Sequence, residues 1–255
     1  MTGAQSATND IGATAGGPPK RRSWLIVAAS NAGAIDAAAR SGTDVVVLDL
    51  VELVAEKDKA AARAACRDAI AIAAAAGASV FAQIDPLSFS QDLNACVSPG
   101  LAGVVISRVE SAAQVEAISA ALDGLESRRG VTAGSIQIVA ALETARGNHD
   151  AYDVLRASSR VCAATLGRAD LVMDLRPEPS GEIHLMPYLM QRLIIIAGAV
   201  GVVPLGAWWR EPARGLLASV ESTDEAAYRG RAIGFKGAMC VSPDQARGIN
   251  RAFAR

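Results

Sequence analysis

From Ser23 onward, short apolar runs alternate with longer stretches in which apolar residues recur every three or four positions. The runs predict strands over 24–29, 44–50, 80–84, 103–107, 136–142, 161–166, 202–205 and 237–241. The second run, Asp-Val-Val-Val-Leu-Asp-Leu, is uninterrupted in its apolar centre, as parallel strands buried on both faces are. The periodic stretches predict helices over 31–40, 57–76, 111–125, 187–200, 223–234 and 243–252. Gly77 stops the second of these. Ser111 and Gln114 stand at capping-box spacing before the third. Thr223 reads as the N-cap of the fifth, and Pro243 takes the first position of the sixth.

Strand and helix alternate through eight units, the count of a closed parallel barrel. The expected fold class is therefore α/β, a (β/α)8 TIM barrel in a single domain over residues 21–255. An open doubly wound sheet is the structural alternative. It is weakened by the lack of G-x-G-x-x-G after the first strand. Residues 1–20 are rich in Gly, Ala, Ser, Thr and Pro and lack periodicity, so a disordered N-terminal tail is expected there.

Composition narrows the picture. Of 255 residues, 51% are apolar and 20% charged, the balance of a globular enzyme. Aromatics are only 4%, so the core is built from Ala, Val, Leu and Ile. The net charge of −1 offers no basic stripe for nucleic acid. The one basic cluster, Lys20-Arg21-Arg22, reads as a solvated start to the fold or as a contact for a phosphorylated substrate. The four cysteines lie far apart without a CxxC, which points to a reducing, cytoplasmic location. The longest apolar run, 193–205, is too short to cross a bilayer, so no membrane partner is expected.

Two carboxylates stand out. Glu143 closes the fifth strand and Asp170 follows the sixth, past the turn Gly167-Arg168-Ala169. Neighbouring strands of a parallel barrel would bring both to the face where active sites form. Two acidic oxygen donors there are the usual minimum for holding a magnesium ion beside a substrate. Their plain alternative is a first-turn helix acid held by the dipole. Asp49, on the second strand, is costly to bury unless it anchors a basic or amide group. Glu52 just beyond it is either a general base or a solvated loop acid. Arg146 either serves the site beside Glu143 or pairs with a nearby acid. His149 and His184 have no second histidine at zinc spacing. Trp208 and Trp209, beside Arg210, read as a subunit contact or a lid over the site.

The ordered series Arg22-Ser23-Trp24-Leu25, Leu48-Asp49-Leu50, Val109-Glu110-Ser111-Ala112, Glu143-Thr144-Ala145-Arg146-Gly147, Leu166-Gly167-Arg168-Ala169-Asp170-Leu171, Gly234-Phe235-Lys236-Gly237 and Ser242-Pro243-Asp244-Gln245 resembles the citrate lyase beta-subunit-like proteins. These belong to the aldolase and citrate lyase superfamily, with the malyl-CoA and citramalyl-CoA lyases. The resemblance runs through essentially everything after residue 20. It implies a TIM barrel, often trimeric or hexameric, that binds Mg2+ through Glu143 and Asp170. It implies cleavage or formation of a carbon–carbon bond next to a carbonyl, in a small acid or its CoA thioester. On this resemblance, catalytic roles are expected for Glu52, Asp49 and Arg146. Substrate contacts are expected from Gln83, Arg22, Gly167 and Ala169.

This chain also departs from the family pattern. Val51-Glu52 stands where Glu-Asp is usual, and Gln83 stands where an arginine grips the substrate carboxylate. An amide can donate a hydrogen bond but cannot form a bidentate ionic clamp. Ser107-Arg108 replaces Pro-Lys, Val241-Ser242-Pro243 replaces Ile-His-Pro, and Gly206 falls where an aspartate is usual. The metal pair is kept while the shell that would grip substrate is altered. A barrel that binds without catalysis, or an aldolase acting on a free keto acid, are the alternative readings.

Overall fold

The structure is a computed structural model that describes residues 20–177, 179–208 and 218–254, with backbone alone at 168, 169 and 179–184. The expected tail, apart from Lys20, and the pair Trp209-Arg210 lie outside the described residues. Eight strands, β1 (Ser23–Ala28), β2 (Val45–Asp49), β3 (Ser79–Ile84), β4 (Leu101–Ile106), β5 (Gln137–Ala141), β6 (Val161–Thr165), β7 (Val203–Ala207) and β8 (Gly237–Cys240), close into a barrel in sequence order. Every pairing is parallel, including β8 with β1. This is the TIM barrel the alternation predicts.

Period two decides what faces inward. Trp24, Ile26, Val45, Val47, Phe81, Val105, Val139, Ala141, Ala163, Leu205 and Met239 form one buried cluster inside the barrel. The intervening residues pack outward in a second cluster with the helices. Each large side chain buried in this way contributes roughly 1.5–3 kcal/mol relative to exposure. Gly103 makes room for the Phe81 ring, because a Cβ there would lie 2.2 Å from ring carbon Cε1. Trp24 and Phe81 meet at 4.7 Å between centroids and plug the lower barrel.

The N-terminal ends of the strands, the base of the barrel, are fastened by ion pairs. Arg160, just before β6, donates to both Glu126 oxygens, to Asp123 and to the Ile136 carbonyl. Burial alone would raise the Glu126 carboxyl, but Arg160 and the N–H groups of Ile136 and Gly134 outweigh it and hold the pKa below its usual value. Arg22 grips Asp44 at 2.7 and 2.9 Å, just before β1 and β2.

The helices match the sequence pattern with informative exceptions. α1 (Ala32–Arg40), α2 (Lys59–Ala75, after the 3-10 turn Glu56–Asp58), α4 (Ala112–Arg129) and α10 (Pro243–Ala252) stand where expected. Ser111 and Gln114 form the full capping box. Gly77 turns the chain after α2 with φ +89, a conformation glycine adopts at little cost. α8 (Pro179–Val200) begins before Pro187 and runs through it, where the proline reads in sequence as a start. α9 (Val220–Ile233) is capped by Ser219, not Thr223. Thr223 is buried inside it and donates to the Ser219 carbonyl. α3 (Phe89–Cys96), α5 (Ala145–His149), α6 (Ala151–Arg156) and α7 (Arg168–Leu175) were not evident from periodicity. No helix among the described residues is long and apolar enough to cross a membrane.

Candidate metal centre

At the opposite end, the mouth, the strands deliver acids. β5 carries Glu143 two residues past Ala141, continuing the inward series Val139-Ala141. α7 carries Asp170 in its first turn, directly after the Gly167 N-cap. The loop after β2 carries Glu52. Oxygens of Glu52, Glu143 and Asp170 converge to within 4.8 Å of one another.

Each acid is held by its surroundings. Glu143 is only 8% exposed, and its Oε2 accepts the Arg108 backbone N–H at 2.8 Å. Arg108 adopts φ +47, unusual for a residue with a side chain. Gly167 lies against the other side of Glu143, and a Cβ there would stand 2.3 Å from Glu143 Cγ. Burial, then the charges of Glu52 and Asp170, push the Glu143 pKa up to about 8. Asp49 ends β2, and its oxygens accept the N–H groups of Val51, Glu52 and Leu53 at 2.6 to 3.0 Å. Burial raises its pKa, partly offset by those three bonds. Asp49 thus anchors amides and fixes the loop that presents Glu52. Asp174 of α7 accepts the Ala145 N–H at 2.6 Å, tying the helix bearing Asp170 to the segment after Glu143.

The cavity at the mouth brings together Asp49, Glu52, Gln83, Glu143, Gly167 and Asp170. Gln83 is buried and donates from Nε2 to Ser107 Oγ at 2.9 Å. Hard carboxylate oxygens clustered in this way suit Mg2+, which favours oxygen ligands and commonly binds through one or two carboxylates while keeping several waters.

Two expected site residues, Arg22 and Arg146, lie elsewhere. Arg22 precedes β1 and is locked to Asp44 at the base, so it cannot reach a substrate at the mouth. Arg146 is exposed on α5 and does not line the cavity. Ala169 contributes only backbone to the description, within α7. His149 is exposed, 3.8 Å from Asp150. Trp208 is buried edge-on against Phe235, with ring centroids 5.2 Å apart. Its ring fills the space a side chain at Gly206 would need, at 2.2 Å from an added Cβ, which gives the glycine there a packing reason. Cys162 is half-buried near Arg21 at the base and packs against the inner barrel cluster. One polar cavity residue escaped the sequence reading. Thr165, the last residue of β6, is 2% exposed, and its hydroxyl has no hydrogen-bond partner. The signal was present in the alternation Ala163-Thr165, in which Thr165 continues the inward direction of Ala163 to the mouth.

Comparison with known proteins agrees with this geometry. The chain is 30% identical over 236 residues to a citrate lyase subunit beta-like protein of Deinococcus radiodurans, covering 89% of this chain and 78% of that one. It is 27% identical over 237 residues to the citrate lyase subunit beta of Haemophilus influenzae, covering 92% and 80%. Among solved structures, it resembles the Mycobacterium tuberculosis citrate lyase beta subunit complexed with oxaloacetate and magnesium. The TM-score is 0.72 at 25% identity, over 92% of this chain and 98% of that one. Residues 22–243 match the HpcH/HpaI aldolase/citrate lyase family, and the chain belongs to it.

Proposed function

We propose that this protein is a magnesium-dependent carbon–carbon lyase acting on a hydroxy or keto acid, free or as its CoA thioester. The observation that carries this reading is the convergence of Glu52, Glu143 and Asp170 oxygens within 4.8 Å at the barrel mouth. Glu143 and Asp170 would hold the ion, with Glu143 oriented by the Arg108 N–H. When bound, Mg2+ supplies Lewis-acid stabilisation of the negative charge that develops as the bond beside a carbonyl breaks. Glu52, on the loop set by Asp49, is the exposed carboxylate of the three and takes the proton of the substrate hydroxyl. Gln83 offers a neutral amide to a substrate oxygen from the far side of the cavity. Gly167 lets the α7 segment approach Glu143 closely. The relative solved with oxaloacetate and magnesium supports a small acid beside the ion as the ligand. The homo-oligomer implied by the resemblance belongs to the same proposal and is read by light scattering.

A second reading, a barrel that binds the acid without cleaving it, is favoured by Gln83, a neutral group bonded to Ser107. Calorimetric titration with MgCl2, on wild type and Glu143→Gln, tests the site. The lyase reading fails if wild type binds no magnesium even with pyruvate or oxaloacetate present. A panel of malyl-CoA, citramalyl-CoA and free hydroxy acids tests the chemistry. Turnover of any of them, lost in Asp170→Asn, removes the non-catalytic reading.

A further inference from the structure

We propose that Thr165 is a specificity-determining residue whose hydroxyl donates a hydrogen bond to an oxygen of the small acid held beside the metal. The proposal rests on the metal-site reading above. Thr165 closes β6 between the two segments that carry the metal pair: it pairs with Ala141, two residues before Glu143, and precedes the Gly167 turn into the helix of Asp170. Its backbone is fixed, since its carbonyl accepts the Leu142 N–H at 2.9 Å. Its side chain is 2% exposed and lines the cavity with Glu143, Asp170, Glu52 and Gln83. Its hydroxyl oxygen is one of the few buried polar atoms among the described residues with no hydrogen-bond partner.

A desolvated hydroxyl without a partner costs the folded state free energy. Such local departures from full satisfaction concentrate where a ligand completes the bond. The charge pattern selects the kind of ligand atom. The neighbouring acids are acceptors when ionised, whereas Thr165 offers an O–H donor. Gln83, on β3, offers the other neutral donor. A carboxylate or carbonyl oxygen between them is the group both can serve. A site built to hydrogen-bond a substrate oxygen rejects analogues lacking it, because its buried donor is then left unpaired.

The test uses the full chain with MgCl2, pyruvate and oxaloacetate as probes, in calorimetry and thermal unfolding. Thr165→Val removes the hydroxyl at nearly constant shape, and Thr165→Ser restores it. The expected result is unchanged magnesium affinity for Thr165→Val, about tenfold weaker pyruvate binding to the magnesium-loaded protein, and recovery in Thr165→Ser. The ligand-free Tm of Thr165→Val should equal or exceed that of wild type, because an unpaired buried hydroxyl has been removed. A fall in that Tm would mean the hydroxyl has a structural partner and overturns the proposal. So would pyruvate and oxaloacetate binding equal to wild type, or neither acid binding to magnesium-loaded wild type. Glu143→Gln separates the two readings. If it loses magnesium while Thr165→Val binds both acids normally, the metal site stands and Thr165 alone is overturned. If Glu143→Gln binds magnesium as wild type does, both readings fall.

Discussion

The two ends of this barrel use charge in opposite ways. At the base, the acids have bases: buried Glu126 has Arg160, and half-buried Asp44 has Arg22. At the mouth, Glu52, Glu143 and Asp170 bring like charges together. Paired charges lock the strand starts in place, while the same-sign cluster stores an electrostatic cost that a cation relieves. The comparison teaches that stability and binding are written at opposite ends of the same strands, as in TIM barrels generally.

The largest expected effect tests the base. Arg160→Ala leaves Glu126 buried without its partner and should cost about 3–5 kcal/mol in urea unfolding. Magnesium affinity of the folded fraction should not change; a large loss would erase the separation of the two ends. Glu143→Gln is the matching change at the mouth. It should weaken magnesium binding by at least about 100-fold, roughly 2.7 kcal/mol, and leave metal-free stability at pH 8 unchanged or slightly higher.

Acid sharpens the contrast further, since the two ends respond to pH with opposite sign. Glu143 is raised to about 8 from the ordinary 4.5, so its folded form holds a proton more tightly. Its contribution to metal-free stability is full below the ordinary value and is lost as pH rises through about 8. Magnesium must displace that proton, so apparent affinity should fall by up to about tenfold per pH unit below 8. Calorimetry in buffers of different ionisation enthalpy would read the released proton. Glu126 is lowered, so its contribution is present above the ordinary value and is lost as pH falls through its folded pKa. The smallest effect concerns Arg22. Arg22→Ala should cost about 1–2 kcal/mol in stability and leave pyruvate binding to the magnesium-loaded protein unchanged. Weaker binding would return Arg22 to the site.

Much of this was legible in the chain. The eight strands were visible because each is an apolar run bounded by polar residues, and the ends of α2 and α10 were visible in Gly77 and Pro243. The pair Glu143 and Asp170 was legible from position after a strand together with family resemblance. The short helices were not, because α5 and α6, at five and six residues, are too short to display an apolar period. Thr223 misled because it is a good N-cap type, but Ser219 stands four residues earlier and takes the role. Arg22 misled because the resemblance outweighed its place just before the first strand, which in a parallel barrel is the base and not the mouth. Thr165 was missed because a lone threonine in an apolar strand reads as core; only the closed barrel shows that its inward rung opens into the cavity.

The inward alternation carries one more consequence. Asp49, Gln83, Ser107, Glu143 and Thr165 each cap a column of apolar side chains that continues below them within the barrel or at its inner wall. A column's uppermost residue can be exchanged without shifting the register of the layers beneath it. One point mutation per strand is then enough to recast what the mouth recognises. Lineages sharing this scaffold can therefore diverge in chemistry by short, independent steps.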